Sequence, residues 1–250
     1  MGYWGVVNNC LKNADVVLFI LDARIPNESA NREVLRKAGD MSKDLIFVFN
    51  KCDLINAKNL KKLKEKYEDA FFVTIKRRIS ILAIKKHLDK LAENRDKDQA
   101  LRVALIGYPN VGKSSVLNIL VPETRAKVSS VSGTTKKTQW IRQGNLRFMD
   151  TPGVIPKYDS RVRVGLTASK DAHKLKNPDK VAYEVIKVLR KQNPEGFKKT
   201  YGISYDDEDS DYDILLQIGE KRKYLIKGGD VDENRTVTQI ISDWQKGRIK

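Results

Sequence analysis

Gly107-Tyr108-Pro109-Asn110-Val111-Gly112-Lys113-Ser114 decides the fold. The octapeptide has the form G-x-x-x-x-G-K-[ST], a loop whose backbone amides cradle phosphate groups. Its surroundings agree. Residues 101–106 read as a buried strand, and residues 114–120 as the helix after it. Glycine at 107 and 112 lets the backbone come close to a negative group, which the loop amides and the helix N-terminus then face. Lys113 is expected to reach the β- and γ-phosphates, and the Ser114 hydroxyl to hold Mg²⁺. Asn110, Val111, Gly112 and Ser115 complete the expected phosphate-binding set.

A second stretch selects the base. Residues 45–49 form an apolar run ending in Asn50-Lys51-Cys52-Asp53. This is N-K-x-D at the carboxyl end of a strand, where open α/β sheets place their ligands. A carboxylate at Asp53 can accept from N1–H and the exocyclic amine of guanine. Adenine offers neither donor, and sites built this way discriminate by about 10⁴–10⁵. A third stretch, Asp150-Thr151-Pro152-Gly153, comes after a strand over 146–149 and has the form D-x-x-G. Asp150 is expected to hold a Mg²⁺-bound water and the Gly153 N–H to touch the γ-phosphate. Each tetrapeptide alone is a weak signal. Both tetrapeptides and the octapeptide, all at strand ends, together predict an α/β fold, a doubly wound, mostly parallel sheet that binds GTP and GDP with Mg²⁺.

The order of the three is unusual. An ordinary GTP-binding domain presents the P-loop first, D-x-x-G next and N-K-x-D last, whereas here Asn50 precedes Gly107. The chain therefore reads as circularly permuted, and it resembles the YlqF/RbgA family of ribosome-assembly GTPases. The residues that carry the resemblance are Leu21-Asp22-Ala23-Arg24-Ile25-Pro26, Asn50-Lys51-Cys52-Asp53, the P-loop with Pro109-Asn110-Val111, Asp150-Thr151-Pro152-Gly153, Ile218-Gly219-Glu220-Lys221-Arg222 and Gly228-Gly229. It covers almost the whole chain.

The resemblance implies a GTPase of low intrinsic activity, stimulated by a ribosomal subunit, with the large subunit and its rRNA as partners. It places the first switch at Ser132-Gly133-Thr134-Thr135, with Thr135 completing Mg²⁺ coordination and Thr134 as runner-up. Lys113, Thr135 and Gly153 then surround the γ-phosphate. Thr74-Ile75-Lys76 takes the place of a guanine-contacting S-A-K loop in degenerate form, with contact through the Ile75 backbone N–H. Arg24 becomes a candidate catalytic or switch residue, against the plainer reading of a strand end with a Pro-terminated turn. Asn110 becomes a candidate for a K⁺ site; equal rates in K⁺ and Na⁺ would count against it.

Two departures weaken catalysis. Similar proteins carry a histidine near the N-terminus, but this chain has Trp4-Gly5-Val6-Val7 and no histidine before His87. Val154 stands where Ras-like enzymes place a water-positioning glutamine. Unassisted hydrolysis is expected on the order of 10⁻⁴–10⁻² s⁻¹. The alternatives are a nucleotide-gated RNA-binding scaffold with negligible turnover and a small-subunit assembly GTPase. The latter class carries an N-terminal OB domain and a zinc-binding part, for which this chain offers neither the leading length nor the cysteines.

The chain has 250 residues, enough for one α/β domain and a smaller one. Residues 1–157 are expected to form the GTP-binding domain and 158–250 a helical domain that touches RNA. Hydrophobic content of 40% supports a packed core, and a net charge of +16 favours a polyanionic partner. Cys10 and Cys52 form no C-x-x-C pair, so a zinc site is not expected and a reducing, cytoplasmic setting is. No apolar run approaches a membrane span, and a monomer is expected.

The remaining pattern is helical over 28–39 (with Gly39 as C-cap), 57–68, 79–93, 178–191, 211–219 and 234–246, with 1–14 a helix or a hooked arm. A strand is expected over 71–76 and a polar linker over 94–99. Ile81, Leu82, Ile84, Leu88 and Leu91 are expected to face the core together, with His87 solvated. Val181, Val185, Val188, Leu189, Val237, Ile240, Ile241 and Trp244 are expected to build a second core. The acidic run 206–213 reads as a helix start, and Lys198-Lys199 and Lys221-Arg222-Lys223-Tyr224 as phosphate contacts to rRNA.

Overall fold

The computed structural model describes residues 3–93, 95, 99–122, 140–151 and 160–249. Two compact units form: Met1–Cys52 with Leu60–Lys157, and Asp53–Asn59 with Tyr158–Lys250. The second unit thus takes in a seven-residue segment from inside the span expected for the first.

The first unit is built on a six-stranded sheet. In chain order it contains α1 (Tyr3–Asn13), β1 (Val16–Asp22), α2 (Pro26–Ser29), α3 (Arg32–Asp40) and β2 (Asp44–Asn50). After α4 (Ala57–Lys66), which straddles the boundary, come β3 (Phe71–Phe72), α5 (Arg78–Glu93), β4 (Leu101–Ile106), α6 (Lys113–Leu120), β5 (Trp140–Gln143) and β6 (Leu146–Asp150). The strand order is β3-β2-β1-β4-β6-β5. All neighbours are parallel except β5 and β6. The chain is therefore α/β with a doubly wound, mostly parallel sheet, as the motifs predict.

Every residue of β1 is buried, which is what a central parallel strand covered on both faces requires. Leu101, Val103 and Leu105 of β4 and Leu146 and Phe148 of β6 pack with Ile81, Ile84 and Leu88 of α5 and Val116, Leu117 and Leu120 of α6. The alternate residues of these strands face the other way, where the Cys10 thiol of α1 donates to the Met149 sulfur at 3.4 Å. Burial pushes the Cys10 thiol up to about 11, so it stays protonated packing material.

Several local expectations are corrected. The segment 28–39 breaks at Asn31, whose side chain accepts from the Glu33 and Val34 amides and so begins a new helix. Gly39 lies inside α3, and the cap falls at Met41. The strand expected over 71–76 is only Phe71–Phe72. Leu82 and Leu91 of α5 are exposed, while Ala92 joins the core. His87 is exposed, with its ring edge-on to Phe71. The linker residues Asn94, Asp96, Lys97 and Asp98 lie outside the described residues.

The second unit holds α7 (Arg161–Leu166), α8 (Pro178–Gln192), α9 (Pro194–Tyr201), α10 (Asp211–Lys221) and α11 (Glu233–Gln245). Helices α7 and α9 are additions to the sequence pattern. Val181, Val185, Leu189, Val237, Ile240, Ile241 and Trp244 are buried, and Val188 is half-buried. Ser210 and Asp213 form a reciprocal capping box at the start of α10. Arg190 ties the acidic loop down through the carbonyls of Asp206 and Asp209 and the Asp211 carboxylate. The Lys198 ammonium lies over the Tyr205 ring at 4.6 Å, and the Arg222 guanidinium over that of Tyr201 at 5.2 Å. Among the described residues, no helix is long and apolar enough to cross a membrane.

Candidate functional site

The sheet reverses its winding between β1 and β4. From β1 the chain moves outward to β2 and β3, and from β4 it moves the other way to β6 and β5. Such a switch point opens a crevice at the carboxyl ends of the two strands. The loop after β4 is Gly107–Lys113, the loop after β1 begins at Asp22, and β2 ends beside them at Asn50.

Close approach decides the glycines. A Cβ at Gly107 would collide with the Ile20 carbonyl oxygen of the adjacent strand. Gly112 has φ +101°, and a Cβ there would collide with the Asn50 side-chain nitrogen. Asn50 is 2% exposed, and its Nδ2 donates to the Val111 carbonyl at 2.8 Å. The first residue of N-K-x-D thereby grips the P-loop directly. This role was not visible in the sequence, where the two stretches are far apart.

Phosphate fits this cradle on three observations. Gly112 gives α6 no side-chain cap, so the positive end of the helix dipole opens directly onto the loop. Lys113 is 6% exposed, and its ammonium donates to the carbonyls of Gly107 at 3.1 Å and Tyr108 at 2.8 Å, which fold it into the loop. The Asn50 Oδ1 is buried and has no hydrogen-bond partner among the described residues. Ser114 and Ser115 stand half-buried in the first turn of α6.

Beside the P-loop lies a buried charge cluster. Asp22, the last residue of β1, is 3% exposed. Its carboxylate accepts from the Arg24 Nε at 3.0 Å and Nη2 at 2.8 Å, and from the Lys51 ammonium at 2.9 Å. Burial opposes ionisation of Asp22. The Arg24 and Lys51 charges outweigh it and hold the carboxyl well below the usual carboxylate range. Lys51 takes φ +64°, a left-handed conformation that lysine rarely adopts. Asp22 therefore braces the N-K-x-D loop in a strained shape. The sequence signal that could have marked it is an acid ending an otherwise wholly apolar strand.

The remaining expected residues divide by location. Asp53 stands exposed on the one-turn 3₁₀ helix Cys52–Leu54 directly after β2. The loop after β3 is drawn beside Asn50–Cys52 by Val73 N donating to the Phe49 carbonyl and Cys52 N to the Val73 carbonyl. Thr74 is buried there, its hydroxyl accepting from the Lys76 amide at 3.3 Å, while Ile75 and Lys76 are exposed. Asp150 ends β6 in register with Leu105. The buried Thr151 hydroxyl then donates to the Leu105 carbonyl at 2.7 Å, which pins the backbone leaving β6. The Asp150 side chain and Thr134, Thr135, Lys136, Lys137, Gly153 and Val154 lie outside the described residues.

Strand order and loop set define a P-loop domain of the GTP-binding kind whose strands follow one another in permuted order. The family described as RsgA GTPase matches residues 7–157, and the one described as 50S ribosome-binding GTPase matches residues 102–220. An uncharacterized GTP-binding protein of Methanocaldococcus jannaschii is 37% identical over 98% of this chain and 65% of its own length. Ribosome biogenesis GTPase A of Bacillus licheniformis is 30% identical over 95% of this chain and 88% of its own. The GDP-bound structure of TM YlqF superposes with TM-score 0.63 at 23% identity, over 97% of this chain and 94% of that one, a likeness of fold. The chain belongs to the YlqF/RbgA family of circularly permuted ribosome-assembly GTPases. It spans less than two thirds of the length of the first curated relatives it matches.

Proposed function

We propose that the chain binds GTP with Mg²⁺, hydrolyses it slowly, and uses the nucleotide state to control binding to the rRNA of an assembling large ribosomal subunit. The bond from Asn50 to the Val111 carbonyl carries the reading, because it sets a base-selecting loop against a phosphate-cradling loop. Asp53 accepts from N1–H and N2–H of guanine. Thr74, Ile75 and Lys76 flank the base, Ile75 through its backbone N–H. Lys113 exchanges its two carbonyl partners for β- and γ-phosphate oxygens, and the amides of 110–115 bind the rest. Ser114, Thr135 and Asp150 would hold Mg²⁺, which would supply positive charge against the nucleotide's phosphates. Gly153 offers its N–H to the γ-phosphate. Asn110, with φ +58°, turns the loop at the proposed K⁺ position.

The large-subunit assignment is supported by the description of one matching family as 50S ribosome-binding and by the charge of +16. Slow turnover is supported by Val154 and by the missing N-terminal histidine. The basic groups at Lys198, Lys199 and Arg222 supply phosphate contacts. The chain acts as a monomer in the cytoplasm.

Base selection is tested with Asp53→Asn. The variant loses GTP affinity by about 10³-fold, since its amide accepts only one of the two guanine donors and sets its own N–H against the 2-amino group, and it gains affinity for xanthosine triphosphate, whose 2-oxo group accepts that N–H. Calorimetry with GTP, ATP and XTP reads both changes. Equal binding of GTP and ATP by the parent sinks the proposal. The ribosomal part is tested by co-sedimentation with subunit precursors, where equal affinity under GDP and a non-hydrolysable GTP analogue sinks it.

A further inference from the structure

The opposite end of the same sheet carries a second concentration of charge. Arg142 of β5 stands in register with Arg147 of β6, and Arg147 with Arg102 of β4. Residues in register share a face, so three arginines line up across three adjacent strands. All three are exposed. Like charges set directly opposite one another destabilise a sheet, so folding alone gives no reason for this row.

The row is part of a concavity. Arg102, Arg142 and Arg147 line a cavity of about 400 Å³ with Asp15, Arg95 and Gln99. That volume lies in the range of small-ligand sites. Among the described residues its charged lining is net +3, four arginines against one aspartate. Asp15 does not neutralise the site; it arranges it. One carboxylate accepts from Arg95 Nη1 at 3.0 Å and from Arg102 Nε and Nη2 at 3.2 and 2.9 Å, and it also takes the Arg102 backbone N–H at 2.9 Å. Two guanidinium forks are thereby held in place before anything binds. Arg142 is oriented by its Nε donating to the Gly144 carbonyl at 3.3 Å.

We infer that the arginine row Arg102–Arg147–Arg142, with Arg95, is a binding site for a phosphate-bearing anion, separate from the nucleotide loops. Planar guanidinium forks pair bidentately with phosphate. A tetrahedral group offers oxygens in more directions than a carboxylate, so it can engage several forks at once. The site lies at the amino ends of the parallel strands. Along β4, Arg102 and Gly107 at the start of the P-loop are five residues apart, about 17 Å at 3.3 Å per residue, so the two sites are distinct. The same chemistry is presented by the backbone of an RNA strand and by a free polyphosphate.

The experiment uses the full chain saturated with GDP and excess Mg²⁺, which fills the P-loop. It is titrated with inorganic tripolyphosphate by calorimetry and with a labelled 12-nucleotide single-stranded RNA by fluorescence anisotropy. The R142A/R147A and R142K/R147K variants are compared with the parent, and they report on this site whether or not GDP binds. At least a tenfold loss with the alanine pair is expected, only partly recovered by the lysine pair, which keeps charge but lacks the fork. If the loss is in RNA binding, with the salt slope falling by about 1 per arginine, the ligand is an RNA backbone. If the loss is in tripolyphosphate binding alone, the ligand is a free polyphosphate. Unchanged binding of both probes by the alanine pair, or no binding of either by the parent, overturns the assignment. Melting temperatures at or above the parent's show that the variants are folded.

Discussion

The two ends of one sheet treat charge in opposite ways. At the carboxyl end, Asp22 is buried and closed by two cations, and Asn50 is buried against the P-loop. At the amino end, Arg102, Arg142 and Arg147 stand exposed in a like-charged row beside the half-shielded Asp15. The buried Asp22 cluster pairs its charges internally and so holds backbone in a strained shape. The exposed end has an excess of one sign and so is shaped for something outside the fold. Strand ends of the same core can thus be specialised for positioning or for capture, according to whether opposite charges are enclosed with one another.

The largest effect expected from this contrast is at Asp22. Asp22→Asn leaves Arg24 and Lys51 without their buried counter-charge and lowers stability by about 3–5 kcal/mol, read by urea unfolding at pH 7. Because the folded-state carboxyl lies below its usual range, its contribution is complete above the unfolded value near 4. It is lost as pH falls through the folded value. A variant as stable as the parent would show that the cluster braces nothing.

Gly112→Ala comes next. It forces a side chain into φ +101° and into Asn50, costing about 1–3 kcal/mol. Nucleotide affinity should fall further than stability, because the Asn50–Val111 bond is displaced; affinity intact after a stability loss would separate the two loops.

Asp15→Asn is expected to cost about 1 kcal/mol or less at pH 7. Burial opposes ionisation of Asp15, but bonds from Arg102 and Arg95 prevail and lower its carboxyl to about 2. The parent's advantage over the variant should therefore close as pH falls from about 4 to about 2. A difference that persists at the acid end would assign the effect to shape rather than charge.

The smallest effect is expected at Arg147. Arg147→Ala relieves two like-charge oppositions and should raise stability by a few tenths of a kcal/mol, roughly the scale of one cross-strand pair. A clear loss in a thermal melt would mean that the arginine stem packs rather than waits for a ligand, and would blur the distinction between the two ends.

Legibility in the sequence tracked the range of the physics. β1, β2 and β4 could be read because a strand covered on both faces must be apolar throughout, as residues 16–21 and 103–106 are. The P-loop could be read because its glycines and lysine are contiguous. The break at Asn31 was hidden because a polar residue inside a periodic stretch looks like an exposed helical position until its side chain is seen to cap. Leu82 and Leu91 fit the helical period yet face solvent, since the period fixes a stripe but not its width. The Asp22–Lys51 bridge and the arginine row were invisible for a stronger reason. Register and crossover bring together residues that no local window contains.

The permuted order of the strands also changes the order in which they leave the ribosome. β1, β2, β3 and α5 all precede β4. At about 5–20 residues per second, the half of the sheet bearing Asn50 is synthesised seconds before the glycine loop emerges. Until then β1, destined for the middle, has one flank without a neighbour, the position in which strands are prone to wrong pairing. The seam created by permutation is therefore a nascent-chain hazard in the making of the molecule and vanishes once β4 docks.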